Sequence, residues 1–496
     1  MYKIRQIKYS SNSISIQVYK IENRKRVIVR HIGTAVNEQE KLDLLFIAND
    51  FIEKASKQFF LFENNHSNNI FHINQTEFIG VYFTFLYELI SKLIITIGID
   101  KINNRLILDL VILRMMEPAS KLRSIGLLEE YFGIKHRRQN YYHCASQWLA
   151  LKSAVESISL KFAREHYAFS FDILFYDVTT LYFETFEEDE LRKNGFSKDS
   201  KSQQPQILVA LMVTKEGFPI AYEIFAGNTF EGHTIIPVVK NFITKNNVKN
   251  FTVVADAAMI SNVNTLALNE NGINYIVGAR LGNLSNELIN QIDKKLIRED
   301  GKSIRIKTDN GYLICSYSSL RYRKDKYEME KQIVKAKFVI DNPSKSKKLK
   351  FTKSNGQNIV MNQKLIDKTK KLLGIKGYYT SLEESIADNK TIIDRYHELY
   401  KIEQAFRISK SDLQTRPIFH YKEEPIKLHI LICFMALVIS KHIELQTNTS
   451  IRSFIHECKK ITDARLKNKI TNKEHSIRAA LNQKITDILA KLGLLT

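Results

Sequence analysis

The feature that most constrains this chain is a set of short apolar runs that carry, in two cases, an acidic residue. FTVVADAAM (251–259) and INYIVGARL (273–281) are nearly continuous apolar stretches of strand length, the pattern of strands buried on both faces of a parallel sheet. FDILFYDVTTLYF (171–183) has the same β texture, with Asp177 inside it, and Asp256 ends FTVVAD. An ionised carboxylate in such a run costs several kcal/mol unless it is paired or meets a cation. One such residue is readily explained as a cap for the following helix. Two on neighbouring strands point to a ligand set.

The surrounding pattern predicts an α/β fold. QILVALMVTKEGFPIAYEIFAG (206–227) reads as two strands about the turn Glu216-Gly217, and a helix follows near Thr234 to Lys245. The order β-β-β-α-β-α-β is a mixed sheet flanked by helices. Ahead of it, residues 1–74 contain alternating runs about the polar turn ENRK and form an N-terminal β-rich unit. Residues 75–167 have helical periodicity, broken at Pro118-Ala119-Ser120, where Ser120 is placed to cap the next helix. The sheet domain is expected over 168–284, interrupted by a partly β insertion at 285–376. It resumes over 377–446 with the strand GYYTSL, a long helix from about Ala387 to Ser409 and another over Lys427 to Leu445. Residues 447–496 are read as a basic helical tail.

The charge says what such a chain meets. Seventy-four Lys and Arg against 53 Asp and Glu leave a formal +21, and Arg321 to Lys376 alone holds seventeen basic and five acidic residues. A solvated lysine-rich face is one reading; a phosphate-binding surface accounts for the concentration. Lys121, Arg123, Lys135, Arg137 and Arg138 either belong to a helix-turn-helix that reads a DNA end or are ordinary surface charges. Cys144, Cys315, Cys433 and Cys458 lie far apart with no CxxC pair, so neither a disulfide framework nor a zinc site is expected. The N-terminus lacks the apolar core of a signal peptide. Leu428 to Ser440 is too short to span a bilayer and contains His429, so a buried helix, a cytoplasmic location and no membrane partner are expected.

The long helix places Tyr396, Leu399, Glu403 and Lys410 at offsets of three, four and seven, along one stripe that can face the two aspartates. Hard divalent cations take oxygen ligands, and two ions flanking a scissile phosphate need about three carboxylates. Asp177, Asp256 and Glu403 meet that need. No Gly-rich phosphate loop precedes a helix, and His233 and His420 have no second ligand nearby.

FYDVTTLYFE, SKDSKSQQPQILVALMVTKEGFPIAYEIFAGNTFEGHT, VVADAAM and IEQAFRISKSDLQTRPIFH occur in an order that resembles insertion-sequence transposases with a ribonuclease H-like core and a DDE triad, over about residues 170–440. Within that class the chain is similar to the group named after insertion sequence four, whose mark is Tyr-x2-Arg-x3-Glu-x6-Lys. Here it reads Tyr396-x2-Leu399-x3-Glu403-x6-Lys410, with Leu399 where the motif has Arg. The resemblance implies that Asp177, Asp256 and Glu403 are catalytic and hold two Mg²⁺ ions, which Mn²⁺ can replace. It also implies that Tyr396 and Lys410 contact phosphates near the element's end. Arg407 and Arg416 are further phosphate contacts or surface partners of Glu398 and Asp412. Tyr317, Tyr322 or Tyr327 either stack on a flipped base or pack on their own subdomain.

The expected function is therefore cut-and-paste transposition: metal-dependent cleavage of double-stranded DNA at terminal repeats, then strand transfer, by a homodimer on paired ends in the nucleoid of a bacterial cytoplasm. The N-terminal and helical regions would recognise ends, the basic insertion would clamp DNA, and the helices at 447–490 would offer a dimer interface. The rivals are a nuclease that never joins, an inactive transposase-derived DNA-binding regulator, and a basic protein that coats DNA.

Overall fold

A computed structural model describes residues 2–22, 24–56, 76–197, 200–201, 203–248, 251–259, 261–309, 311–342, 349–355, 358–469, 472 and 474–495. They divide into two compact units, Met1–Phe85 with Lys460–Ala480, and Leu86–Lys459 with Leu481–Thr496.

In the first unit, β1 (Tyr2–Lys8), β2 (Ile14–Glu22) and β3 (Lys25–Ala35) form an antiparallel meander covered by α1 (Glu38–Ser56). The alternation of β2 puts Ile16 and Val18 on the covered face, where Ala35, Leu44 and Ala48 close a small core. β4 (Thr76–Tyr82) belongs to a separate three-stranded sheet described below.

The second unit begins with helices α2 (Thr84–Ile97), α3 (Arg105–Met116), α4 (Lys121–Phe132), α5 (Arg138–Ala145) and α6 (Trp148–Tyr167). The break at 118–120 falls where the sequence placed it, and the Ser120 hydroxyl accepts the backbone N–H of Arg123. Apolar residues on all sides of α3 bury nearly its whole surface.

The sheet follows: β5 (Ile173–Tyr182), β6 (Gln206–Val213), β7 (Pro219–Ala226), α7 (Ile235–Asn246), β8 (Thr252–Ala255), α8 (Asn262–Glu270) and β9 (Asn274–Ala279). β7-β6-β5 run antiparallel, and β5-β8-β9 run parallel. Every residue of β6 and β8 is buried, as continuous apolar runs require. This is the mixed, helix-flanked sheet of the ribonuclease H-like expectation.

The next stretch departs from the inserted subdomain foreseen. After α9 (Asn286–Lys295), β10 (Ser303–Thr308) and β11 (Gly311–Tyr317) do not stand apart. They add to the main sheet beyond a later strand, giving the order β10-β11-β14-β9-β8-β5-β6-β7. Their half-buried, alternating residues suit the outer strands of a sheet, and alternation cannot say which sheet a strand joins. α10 (Ser319–Asp341), the hairpin β12 (Thr352–Asn355) and β13 (Asn358–Met361), and α11 (Gln363–Lys371) form the added layer, with a core about Met329, Ala336, Phe351, Ile366 and Leu373.

β14 (Ile375–Thr380) re-enters the sheet between β9 and β11. The expected single long helix is broken: α12 (Asn389–His397) and α13 (Tyr400–Arg407) are separate, and a π turn spans Ile408–Asp412. The 25-residue helix α14 (Glu423–Thr447) is long and apolar enough to cross a membrane, but 94% of its most apolar stretch is buried inside the fold.

Beyond it lie α15 (Ile451–Cys458), β15 (Asp463–Asn468), β16 (Glu474–Arg478) and α16 (Gln483–Lys491), so the tail is not wholly helical. β15 pairs with β16 and with β4, nearly four hundred residues away in sequence. Asp463, 2% exposed, accepts from Arg478 Nε at 2.8 Å and from the backbone N–H of Phe85. The missing cue is long-range: a short, charge-rich strand becomes one only when a partner strand supplies its hydrogen bonds. All four cysteines are free, as expected.

Candidate active site

β5 is buried along most of its length, and Asp177 is its one half-buried interior position. The parallel pairing of β5 with β8 runs from Ile173 beside Thr252 to Tyr176 beside Ala255. Continued by one residue, the register sets Asp177, midway along β5, next to Asp256 at the carboxyl end of β8, on two strands about 4.8 Å apart and facing the same side. That edge is the usual ligand crevice of an α/β sheet. Each aspartate is steadied by backbone: Asp177 Oδ1 accepts the N–H of Val178 at 2.7 Å, and Asp256 Oδ1 that of Ala257 at 2.6 Å. Asp256 is exposed to solvent.

Tyr396, on α12, reaches Asp256 from above. Its hydroxyl donates to Asp256 Oδ1 at 3.2 Å, while the ring is 7% exposed and packs edge-on against Tyr378 at 4.9 Å. Burial first, and then the neighbouring Asp256 and Glu403 carboxylates, push the phenol well above its usual range, so it stays a donor. Gly278 on β9 makes the approach possible: a Cβ there would lie 2.5 Å from the Tyr396 hydroxyl.

Glu403 lies exposed on α13, whose other face, Ile402, Ala405 and Phe406, is buried. The helix packs on β5 and β6. Its start is tied to the β6–β7 turn, where Lys401 Nζ donates to the carbonyl of Lys215 at 2.7 Å and the Lys401 side chain seats on Gly217, whose φ of +86° favours glycine. Leu399, where the family motif has Arg, is 6% exposed and sits in the core.

Lys376 was not singled out in the sequence. Its ammonium lies over the Tyr396 ring at 4.7 Å and the Tyr378 ring at 5.5 Å. Burial and the nearby Arg321 push it below the usual lysine range, while Asp256 and Glu403 pull the other way. The same tyrosine and the same lysine thus feel both Asp256 and Glu403. Nothing in the sequence distinguished Lys376 from the sixteen other basic residues between Arg321 and itself.

The remaining candidates are dispersed. Lys410 is half-buried in the π turn, and exposed Arg407 acts with Arg452 on Asp412. Glu398 pairs with Lys401. Half-buried Arg416 lies over the Tyr182 ring at 5.5 Å. His420 is buried and stacked on Tyr141, and His233 packs against Phe230. Tyr317 and Tyr322 pack on one another, whereas Tyr327 is 63% exposed.

Asp177, Asp256 and Glu403 are hard oxygen donors of the kind Mg²⁺ takes, two of them adjacent by register and open to solvent. Their chemistry fits the ion. Among the described residues, however, no three His, Cys, Asp or Glu side chains converge closely enough to hold a metal.

A family model described as the transposase DDE domain matches residues 169–439. No curated protein matches the chain. Among solved structures, the cryo-EM structure of a piggyBac transposase synaptic complex with hairpin DNA is similar at 11% identity and a TM-score of 0.38, covering 70% of this chain and 68% of that one. The family match spans more than half of the 496 residues, from the strand that bears Asp177 through the helix that follows Glu403, and the chain belongs to the DDE transposase family.

Proposed function

We propose that this transposase cuts and joins DNA at the ends of an insertion sequence of the group named after insertion sequence four, using Asp177, Asp256 and Glu403 as its carboxylate triad. The observation that carries the reading is the β5–β8 register, which sets two carboxylates side by side on neighbouring strands inside the family-matched span. Proteins of this family use divalent metals, and two Mg²⁺ ions held by the three carboxylates would lower the pKa of the attacking oxygen and stabilise the leaving one.

The chain's own residues orient the site. Asp256 is held by the Tyr396 hydroxyl, Lys376 sits beside the carboxylates where a phosphate would arrive, and the Gly217 turn fixes the Glu403 helix. In the first step a water oxygen bonds to phosphorus, the bond from phosphorus to the 3′-oxygen breaks, and the water gives up a proton while the leaving 3′-oxygen takes one up. In the second, the freed 3′-hydroxyl attacks a target phosphate and a target 3′-oxygen leaves. The number of phosphodiester bonds is unchanged in that step, so no nucleotide triphosphate is consumed. A homodimer on paired ends, acting at the bacterial nucleoid, completes the reading, with Lys410 and Arg407 as phosphate contacts.

The test is cleavage and strand transfer of a labelled duplex carrying the element's own end, in Mg²⁺ or EDTA, by wild type, Asp177→Ala and Glu403→Gln. The expected result is nicked and joined product from wild type in Mg²⁺ only, with both variants binding but not cutting. If all three behave alike, the triad assignment fails and a DNA-binding regulator is the better account. Cutting without joining leaves a nuclease.

A further inference from the structure

The chain that leaves the Glu403 helix runs on through Gln414–His420 and walls one side of a cavity of about 380 Å³, whose other side is the corner between α3 and α4. The cavity's charge is one-sided. Arg114, Lys121, Arg123 and Arg416 line it with His420 and His429, and no Asp or Glu does so among the described residues.

Arg114 and Lys121 are 5% and 8% exposed, yet neither meets a carboxylate among the described residues. Among the described residues, the guanidinium of Arg114 donates to the carbonyl of Ala119 at 2.9 Å, and the ammonium of Lys121 lies 3.2 Å from His429 Nδ1. His429 Nε2 is 3.0 Å from the carbonyl of Thr415 and must donate to it, so Nδ1 accepts from Lys121 and the ring is neutral. These contacts leave most of the five guanidinium and three ammonium hydrogens for another acceptor. Burial and mutual repulsion hold Lys121 and His429 far below their usual ranges and His420 down to about 3.

Elsewhere the protein neutralises such groups. Lys152, 7% exposed, meets Glu156 at 3.0 Å and Glu223 at 2.8 Å. Arg123 at the rim pairs with Glu130 at 3.3 Å, but the buried Arg114 and Lys121 meet no carboxylate among the described residues, and such a pair, in a cavity that opens to solvent past Gln414 and Phe419, is built for an anion from outside. A phosphate matches it: its oxygens accept from a guanidinium fork and an ammonium, and the N-terminus of α4, twelve residues long and capped by Ser120 at the rim, adds its dipole.

We propose that this cavity is a phosphate site that takes one backbone phosphate of the DNA, apart from the carboxylate triad. That the phosphate is DNA's rests on the proposed function; the anion site does not. The wall is pinned to the end of the Asp177 strand, since Ile418 N–H donates to the carbonyl of Tyr182 at 3.2 Å. A phosphate seated here therefore sets the register of the duplex against both the Asp177 strand and the Glu403 helix.

The experiment uses the full chain, with Lys121→Met as an apolar replacement and Arg416→Gln as a milder one should the first not fold. In melts at matched ionic strength, inorganic phosphate in tenfold excess over its dissociation constant should raise the wild-type Tm by on the order of 2 °C over chloride. Lys121→Met should abolish that rise, and Arg416→Gln should shrink it. Duplex binding against salt should lose about 0.9 in slope in Lys121→Met. An unchanged phosphate rise in both variants overturns the site. A lost rise with an unchanged slope overturns DNA as the source and leaves free phosphate. Asp177→Ala should keep both readouts, so a wild type that shows them without cutting DNA faults the functional reading and not this one.

Discussion

The carboxylate pair on β5 and β8 and the cationic cavity at the α3–α4 corner hold opposite charge in opposite ways. Asp177, half-buried within β5, and Asp256, open at the end of β8, each accept a backbone N–H on Oδ1. Water screens them, and the fold holds them at little cost. Arg114 and Lys121 are buried, and no acid among the described residues offsets them. The lesson is that an exposed charge cluster costs the fold little and reports only a preference for a ligand. A buried one-sided cluster costs stability outright and so implies that a ligand repays it.

The largest effect that can break the comparison lies at the open site. Asp177→Ala should lower cleavage at least ~10³-fold while Tm stays within a degree or two or rises, because only the ligand set is lost. A cooperative loss of the fold in calorimetry would mean that Asp177 is structural.

Next comes a contrast between two buried lysines. Lys152→Met strands Glu156 and Glu223 and should cost about 3 kcal/mol in urea unfolding, discounted by the remaining contact of Lys245 with Glu156 at 2.9 Å. Lys121→Met, which strands no acid, should be neutral or stabilising in chloride. Equal losses would show that Lys121 has a partner as good as a carboxylate.

Gly278→Ala should cost about 2 kcal/mol, since its Cβ meets a packed ring and not a flexible chain end. Combined with Tyr396→Phe, which removes the clashing hydroxyl, part of that loss should return. Additivity in the double-mutant cycle would place the strain elsewhere.

The smallest effect is on pH. Burial lowers His442 to about 4 and His420 to about 3 in the folded chain, against 6.5 when unfolded. Between those values the unfolded state binds more protons, so stability is present above pH 6.5 and drains as pH falls through the folded pKa values. Melts from pH 7 to 4.5 should show a loss on the order of 1–2 kcal/mol beyond that of His442→Phe, and superimposable curves would count against buried neutral histidines.

Much of the candidate site was legible because its signals are local. An Asp within or at the end of an apolar strand announces its own cost, and the run of strands and helices from Ile173 to Ala279 follows from periodicity. Glu403 was read from the helical stripe it shares with Tyr396 and Lys410, and the family resemblance points to the same residue, since an exposed Glu on a helix has no local signature of its own. The break between α12 and α13 was hidden because Leu399, an apolar residue at helical spacing, fits one continuous helix as well as two. Tyr396 was read as a phosphate contact, and its place against Asp256 depends on the space that Gly278 leaves across the sheet.

By itself, then, the sequence determined the mixed sheet, the two strand carboxylates, the Ser120 break and the basic character, because each is set by residues within a few positions of one another. Only the tertiary structure decided that β10 and β11 extend the main sheet, that β15 pairs with β4, that Lys376 stands beside the carboxylates, and that Lys121 is buried with no acid beside it among the described residues. Strand partners and the neutralisation of a charge belong to residues distant in the chain, and no local pattern records which of them will meet.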